Sequence, residues 1–172
     1  YQLRELIGQG GVGDVYKAYQ PSLDREVAIK VLRPSRGGDV DIVRRFEREA
    51  RMIGSLRYPH IVQVYDFGVQ NDIYYMVMEY VPGGDFRTLL NNSGVLREEH
   101  ARFYISEMFV SVNELHKLGY IHRDLKPENF LIDATGHIKL TDFDPLTFSL
   151  AMHICMYVCM YMYVCICWTA VV

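Results

Sequence analysis

The sequence predicts an α+β fold in two lobes, and three observations lead there. Short alternating apolar runs dominate residues 1–81, a Pro82-Gly83-Gly84 break follows, and helical spacing takes over beyond it. The 172 residues carry 18 Lys+Arg against 21 Asp+Glu, a net charge of −3, and are half hydrophobic, which describes one globular domain or a piece of one. Such a balance gives no general pull toward nucleic acid, and no local basic patch supplies one, so nucleic acid is excluded as an expected partner. Every Asp, Glu, Lys and Arg lies at or before Asp144, whereas Cys155, Cys159, Cys165 and Cys167 all lie after it. The charged body therefore has no disulfide framework, which fits a reducing compartment and a cytoplasmic location. The residues shown open without a charged start and an apolar run, in keeping with that expectation.

The first run leads into Gly8-Gln9-Gly10-Gly11-Val12-Gly13 and resumes as Val15-Tyr16-Lys17-Ala18-Tyr19, which predicts two strands around a glycine loop. After Pro21-Ser22-Leu23-Asp24, residues 26–32 form a third strand, with β-branched Val27, Ile29 and Val31 on one face. Phe46, Ala50, Ile53 and Leu56 recur at helical spacing, predicting an amphipathic helix over 41–56. Strands are expected at 61–67 and 73–80, joined across 68–72. Ala101, Ile105, Met108, Val112 and Leu115 mark a long helix over 98–118. A loop at 121–129 then leads to short strands at 130–132 and 137–140, turned by Asp133-Ala134-Thr135-Gly136.

Glycines at 8, 10 and 13 also suit a dinucleotide-binding turn, but there a helix follows the third glycine, whereas this chain continues extended. A β-hairpin lid whose backbone N–H groups approach phosphate oxygens fits that context, and so does an ordinary glycine hairpin. Lys30 lies in an otherwise apolar strand on the same face as Ala28. A lysine on an inward face requires an anion, either a ligand phosphate or a carboxylate, and Glu49 is the candidate carboxylate.

The most specific string is His122-Arg123-Asp124-Leu125-Lys126-Pro127-Glu128-Asn129, followed after a hairpin by Thr141-Asp142-Phe143. Together with the glycine loop and Val27-Ala28-Ile29-Lys30, it resembles the signature set of eukaryotic-type Ser/Thr protein kinases over residues 1–143. The resemblance implies a bilobal kinase fold. An antiparallel-sheet N-lobe with one helix would span 1–80, and an incomplete helical C-lobe 81–144. It also implies ATP and Mg²⁺ as cofactors and a protein Ser/Thr hydroxyl as acceptor. Residue by residue, Asp124 would take or orient the hydroxyl proton, and Asn129 and Asp142 would hold metal. Lys30, paired to Glu49, would grip the nucleotide phosphates under Gly8, Gly10 and Gly13. Lys126 resembles the Ser/Thr-specific lysine that contacts the transferred phosphate. Val15, Ala28, Met78 and Leu131 would line the adenine pocket, with Glu79 to Val81 hydrogen-bonding the base. Residues 1–80 look like bacterial Ser/Thr kinases, whereas 81–143 look like the AGC group, the NDR/LATS-like branch in particular, so a junction near residues 81–85 is expected.

The chain departs from the family after Phe143, where Asp144 and Pro145 replace the expected glycine. An activation segment and the helices that complete the large lobe do not follow in these residues. Weak or absent turnover, marginal stability and partial exposure of the long helix's stripe are therefore expected. Residues 145–172 form an apolar, low-complexity tail that is expected to lie outside the fold and is long enough to nominate a membrane association. From Met152 to Cys167, sixteen positions alternate without exception between Met/Ile/Val and His/Cys/Tyr. Those two sets have purine–pyrimidine–purine and pyrimidine–purine–pyrimidine codons, so a translated DNA repeat is the expected origin. Three alternatives to an active kinase stay open: a dead nucleotide-binding or decoy module, a membrane-tethered fragment, and a product with no folded role.

Overall fold

The computed structural model describes residues 1–11, 13–33 and 40–143, together with the backbone of 146 and 147. Asp144, Pro145 and the tail from 148 onward lie outside the described residues. The chain divides into two compact units: Tyr1–Arg57 with Val62–Tyr80, and Tyr58–Ile61 with the residues from Val81 onward.

Unit 1 is a five-stranded antiparallel sheet in the order β1-β2-β3-β5-β4. Its strands are β1 (Gln2–Gln9), β2 (Gly13–Gln20), β3 (Arg25–Leu32), β4 (Val64–Gln70) and β5 (Ile73–Glu79). A 3₁₀ turn at Pro21–Leu23 joins β2 to β3 and ends on Asp24 in the left-handed region, where an Asp costs less than most residues. Alternation along β3 gives two buried faces. Val27 and Ile29 pack with Ala18 and Val77 on one, while Ala28, Lys30 and Leu32 occupy the other. The second face belongs with α1 (Val40–Ser55), which buries Phe46, Glu49, Ala50 and Ile53 and sets the Phe46 ring 5.8 Å from that of Phe67.

The β4–β5 hairpin differs from the sequence expectation in its turn. Strand pairing runs through to Gln70 and Ile73, and the chain reverses on Asn71-Asp72 alone, with φ of 51° and 61°. Two successive left-handed residues match the right-handed twist of the flanking strands, so two residues suffice to reverse the chain. Ile61, expected in this hairpin, belongs instead to unit 2, where it bridges Leu140 in parallel. An apolar residue follows the surface that buries it, and Ile61 is 2% exposed there.

In unit 2, α2 (Phe86–Ser93) starts on Asp85, whose Oδ1 accepts the Thr88 N–H at 2.8 Å. It ends on Gly94 at φ 64°. The sequence reading had no separate helix here, since eight residues carry too little periodicity to mark one. Next, α3 (Glu98–Lys117) buries Ala101, Met108, Ser111, Val112 and Leu115. Of its apolar stripe Ala101, Met108, Val112 and Leu115 are buried, so the expected partial exposure is confined to half-buried Ile105, and the exposed apolar residues Phe103, Phe109 and Val110 lie off that stripe. Ser111 sits within the stripe and satisfies its hydroxyl on the Met108 carbonyl at 2.7 Å. Two short strands, β7 (Phe130–Ile132) and β8 (Ile138–Leu140), form a hairpin whose turn is built on Asp133. Of the tail expected to lie apart from the fold, Leu146–Thr147 forms β9 and pairs with β6 (Tyr120–Ile121).

Candidate active site

The candidate residues fall into one set on each unit. On unit 1, β3 and α1 bring Lys30 and Glu49 together across 19 positions of sequence, with Nζ 2.9 Å from Oε1 and 3.2 Å from Oε2. Both are buried, Lys30 at 9% and Glu49 at 7% exposure. A lysine held on both oxygens of one carboxylate has a fixed position, which a point charge for phosphate recognition needs.

Among the glycines, Gly13 is required by close approach, because a Cβ there would run into the Val31 backbone of β3. Gly10 closes the loop by donating its N–H to the Gly13 carbonyl at 2.9 Å, and Gly8 pairs in register with Val15. Ala28 pairs with Met78 across β3 and β5, and both are buried. Glu79 donates its N–H to the Gln63 carbonyl at 2.8 Å, so this donor of the expected base-binding segment is committed inside unit 1. Val81 and Leu131 belong to unit 2, where Val81 is buried and Leu131 forms an antiparallel bridge with Asp85.

On unit 2 the loop after β6 gathers the second set. Lys126 Nζ lies 2.6 Å from Asp124 Oδ2, and Asn129 Nδ2 donates to the Asp124 carbonyl at 2.8 Å and to Oδ2 at 3.2 Å. The hydrogen bond to Asp124 holds the Lys126 ammonium above the usual lysine range, so it stays charged. The Asp124 carboxylate is half in solvent, open to an incoming hydroxyl. Asn129 is buried, and its carbonyl accepts the Thr141 N–H at 2.9 Å, which ties it to the residue before Asp142. Asp142 stands at φ 61° and Arg123 at φ 65°, two left-handed non-glycine positions flanking the site.

His122 joins these pieces, and the sequence reading assigned it no role. Fully buried, it lies with Nε2 2.8 Å from the Thr141 carbonyl, accepts the Asp124 N–H on Nδ1 at 3.3 Å, and packs its ring 5.0 Å from that of Phe143. One imidazole thus links the backbone of Asp124 to the approach to Asp142, with Nε2 as the donor and Nδ1 as the acceptor. Burial pushes its pKa below the ordinary histidine range, which keeps it in this neutral form. Its place two residues before Asp124, in a run otherwise rich in charge, was the available sign.

The donors fit magnesium and phosphate chemistry. Asp142 and Asn129 offer carboxylate and amide oxygens, the hard ligands that Mg²⁺ takes in ones and twos beside phosphates, while Lys30 offers a fixed cation. A family model for the protein kinase domain matches residues 1–163. The serine/threonine-protein kinase sid2 of Schizosaccharomyces pombe is 49% identical over 144 residues, covering 83% of this chain and 24% of its own length. The serine/threonine-protein kinase DBF20 of Saccharomyces cerevisiae is 49% identical over 143 residues, covering 83% of this chain and 25% of its own. On the bacterial side, the serine/threonine-protein kinase PrkC of Bacillus subtilis is 44% identical over 143 residues, covering 83% of this chain and 22% of its own. The chain thus spans a quarter or less of the length of these curated relatives.

Proposed function

The chain belongs to the protein kinase domain family, and from that premise we propose that it binds MgATP and transfers the terminal phosphate to a protein Ser or Thr hydroxyl. The observation that carries this reading is the Asp124–Lys126–Asn129 cluster, which His122 links to the backbone just before Asp142. Asp124 accepts the hydroxyl proton as that oxygen attacks the terminal phosphorus and the bond to the departing diphosphate oxygen breaks. Lys126, held charged, offsets negative charge on the transferring group, and its bond to Asp124 Oδ2 orients the carboxylate. Asn129 and Asp142 hold magnesium, which neutralises phosphate charge when bound. Lys30 fixes phosphate oxygens, and Glu49 fixes Lys30. Val15, Ala28, Met78, Leu131 and the backbone near Val81 are assigned to the adenine. Phosphoryl transfer draws mainly on positioning and charge, so these short, mutually bonded contacts matter more than intrinsic basicity.

Nucleotide binding without turnover is the second reading, favoured by Asp144 and Pro145 where the family has a glycine after Phe143. No helix among the described residues is long and apolar enough to cross a membrane. A cytoplasmic location, and membrane association through the tail, belong to the proposal. So does a junction near residues 81–85, where the two units also change over. Separate comparison of residues 1–80 and 81–143 removes that junction if both return one subfamily.

Thermal denaturation of the full chain with and without MgATP, beside labelled-phosphate transfer to a Ser/Thr peptide library, tests the function. Wild type is expected to gain apparent stability on MgATP. Asp142→Asn should lose the Mg²⁺-dependent part of that gain while keeping its unliganded melting point. A gain without label transfer selects the second reading, and no gain in wild type refutes both.

A further inference from the structure

Glu107 takes no part in the site above, yet the β7–β8 hairpin closes on it. Its Oε2 accepts the Ile138 N–H at 2.8 Å, and its Oε1 lies 2.5 Å from His137 Nδ1. His60 places Nδ1 3.9 Å from the same carboxylate and 3.0 Å from the Ile138 carbonyl. The rings of His60 and His137 are 6.3 Å apart, and that of Phe103 of α3 lies 5.5 Å from His137. The far end of this hairpin carries the chemistry. Asn129 immediately precedes β7, Asp142 follows β8 by two residues, and the Thr141 N–H bond to the Asn129 carbonyl closes the neck.

Two three-residue strands do not hold an orientation by themselves, so the hairpin takes its direction from what it is bonded to. It is tied to segment 58–61 by the Leu140 backbone N–H to the His60 carbonyl and by the Lys139 side-chain Nζ to the Pro59 carbonyl, each 2.9 Å. Glu107 supplies the tether to α3. We propose that Glu107 is a positioning residue that holds the hairpin, and with it Asn129 and Asp142, against α3, and that protonation of His137 tightens this hold. The proposal rests on the reading of Asn129 and Asp142 as magnesium ligands, while the hold itself can be measured without magnesium.

The sign follows from the groups that face His137. Glu107 faces it from α3, His60 from segment 58–61 and Asp133 from its own turn. Bonding to Glu107 raises the His137 pKa above the ordinary imidazole range, and Asp133 acts in the same direction. A raised value in the folded state means that the stabilisation is complete below the unfolded value of about 6.5 and is lost as pH rises through the folded one. The His137 side chain is 49% exposed, so solvent protons reach it without unfolding.

Amide hydrogen exchange of the full chain, without nucleotide and corrected for intrinsic rate, tests the hold from mildly acidic to mildly alkaline pH. Ile138 protection in wild type is expected to fall severalfold as pH rises. Glu107→Gln, which keeps an acceptor for Ile138 but not the charge, and His137→Phe, which keeps the ring beside Phe103, should both give flat profiles at the weaker level. In the second arm, nucleotide affinity is titrated with Mg²⁺ at the acid end of the range. Both variants are expected to need severalfold more Mg²⁺ while their magnesium-free affinity is unchanged. Equal Ile138 protection in all three proteins at every pH overturns the hold. A pH-graded hold with unchanged Mg²⁺ dependence in the variants overturns the positioning role. A graded hold in a wild type that binds no MgATP leaves the clasp standing and overturns the proposed function instead.

Discussion

Replacing Lys30 with Met cuts the buried pair in unit 1 and leaves the Glu49 carboxylate without its ammonium. Lys30 and Glu49 are 9% and 7% exposed, and Nζ sits within 3.2 Å of both carboxylate oxygens, so little water is at hand to take over. Removing one partner of such a pair costs ~3–5 kcal/mol, whereas replacing both with apolar residues of similar volume is often neutral or stabilising by ~1–4 kcal/mol. Against a total stability on the order of 5–15 kcal/mol, the single change removes roughly a fifth or more of what holds a typical domain folded. At roughly 4–8 °C per kcal/mol for a unit of this size, Lys30→Met should melt at least ~12 °C lower. The surroundings receive the double replacement well: Lys30 stands opposite Met76 in the sheet, and Glu49 lies between Phe46 and Ile53 on the buried face of α1. Lys30→Met/Glu49→Leu should therefore recover to within ~1 kcal/mol of wild type or exceed it, measured by urea denaturation followed by far-UV circular dichroism. A double variant as unstable as Lys30→Met would refute the reasoning, because the penalty would then come from packing and not from an unbalanced charge. The same pair of proteins separates folding from function. If Lys30 grips phosphate, the stable double variant still loses its thermal response to MgATP, a result that Lys30→Met alone cannot distinguish from unfolding.

Two further predictions concern elements that the sequence left implicit. Asp85→Ala removes both carboxylate bonds to Thr88 at the start of α2 and should lower stability by ~1 kcal/mol in the same denaturation assay. Asp72→Gly should raise stability, since φ of 61° at the second residue of the β4–β5 turn suits glycine after an asparagine. A loss on Asp72→Gly would show that the aspartate side chain contributes more than its backbone conformation costs.

Much of the fold was legible because its signals are local. Alternation at Val27, Ile29 and Val31 marked β3 and its faces, and the spacing of Phe46, Ala50 and Ile53 marked α1 within a residue or two of its ends. Lys30 announced a buried anion for the same reason, as one charge on a face otherwise apolar. Errors arose where a segment's fate depends on a distant surface. Ile61 is as β-prone as Val64, but Leu140 claims it across 79 positions, which no window of neighbouring residues contains. The turn at Asn71-Asp72 was blurred into a five-residue link because pairing out to Gln70 and Ile73 is a property of both strands together.

By itself, then, the sequence determined the α+β class, the order of the elements and the chemical inventory: the glycine loop, Lys30, Asp124, Lys126, Asn129 and Asp142. Residue type and short spacing suffice for these, since strand alternation and helix periodicity repeat within a few positions and a signature string is contiguous. The tertiary structure alone decided how that inventory is held. It set Lys30 on both oxygens of Glu49, placed the neutral ring of His122 between Asp124 and Thr141, and hung the β7–β8 hairpin on Glu107, 30 and 31 positions away from His137 and Ile138. Hydrogen bonds and buried charges are satisfied by whatever packing brings within about 3 Å, and that proximity is created only when sheet and helices close on their cores.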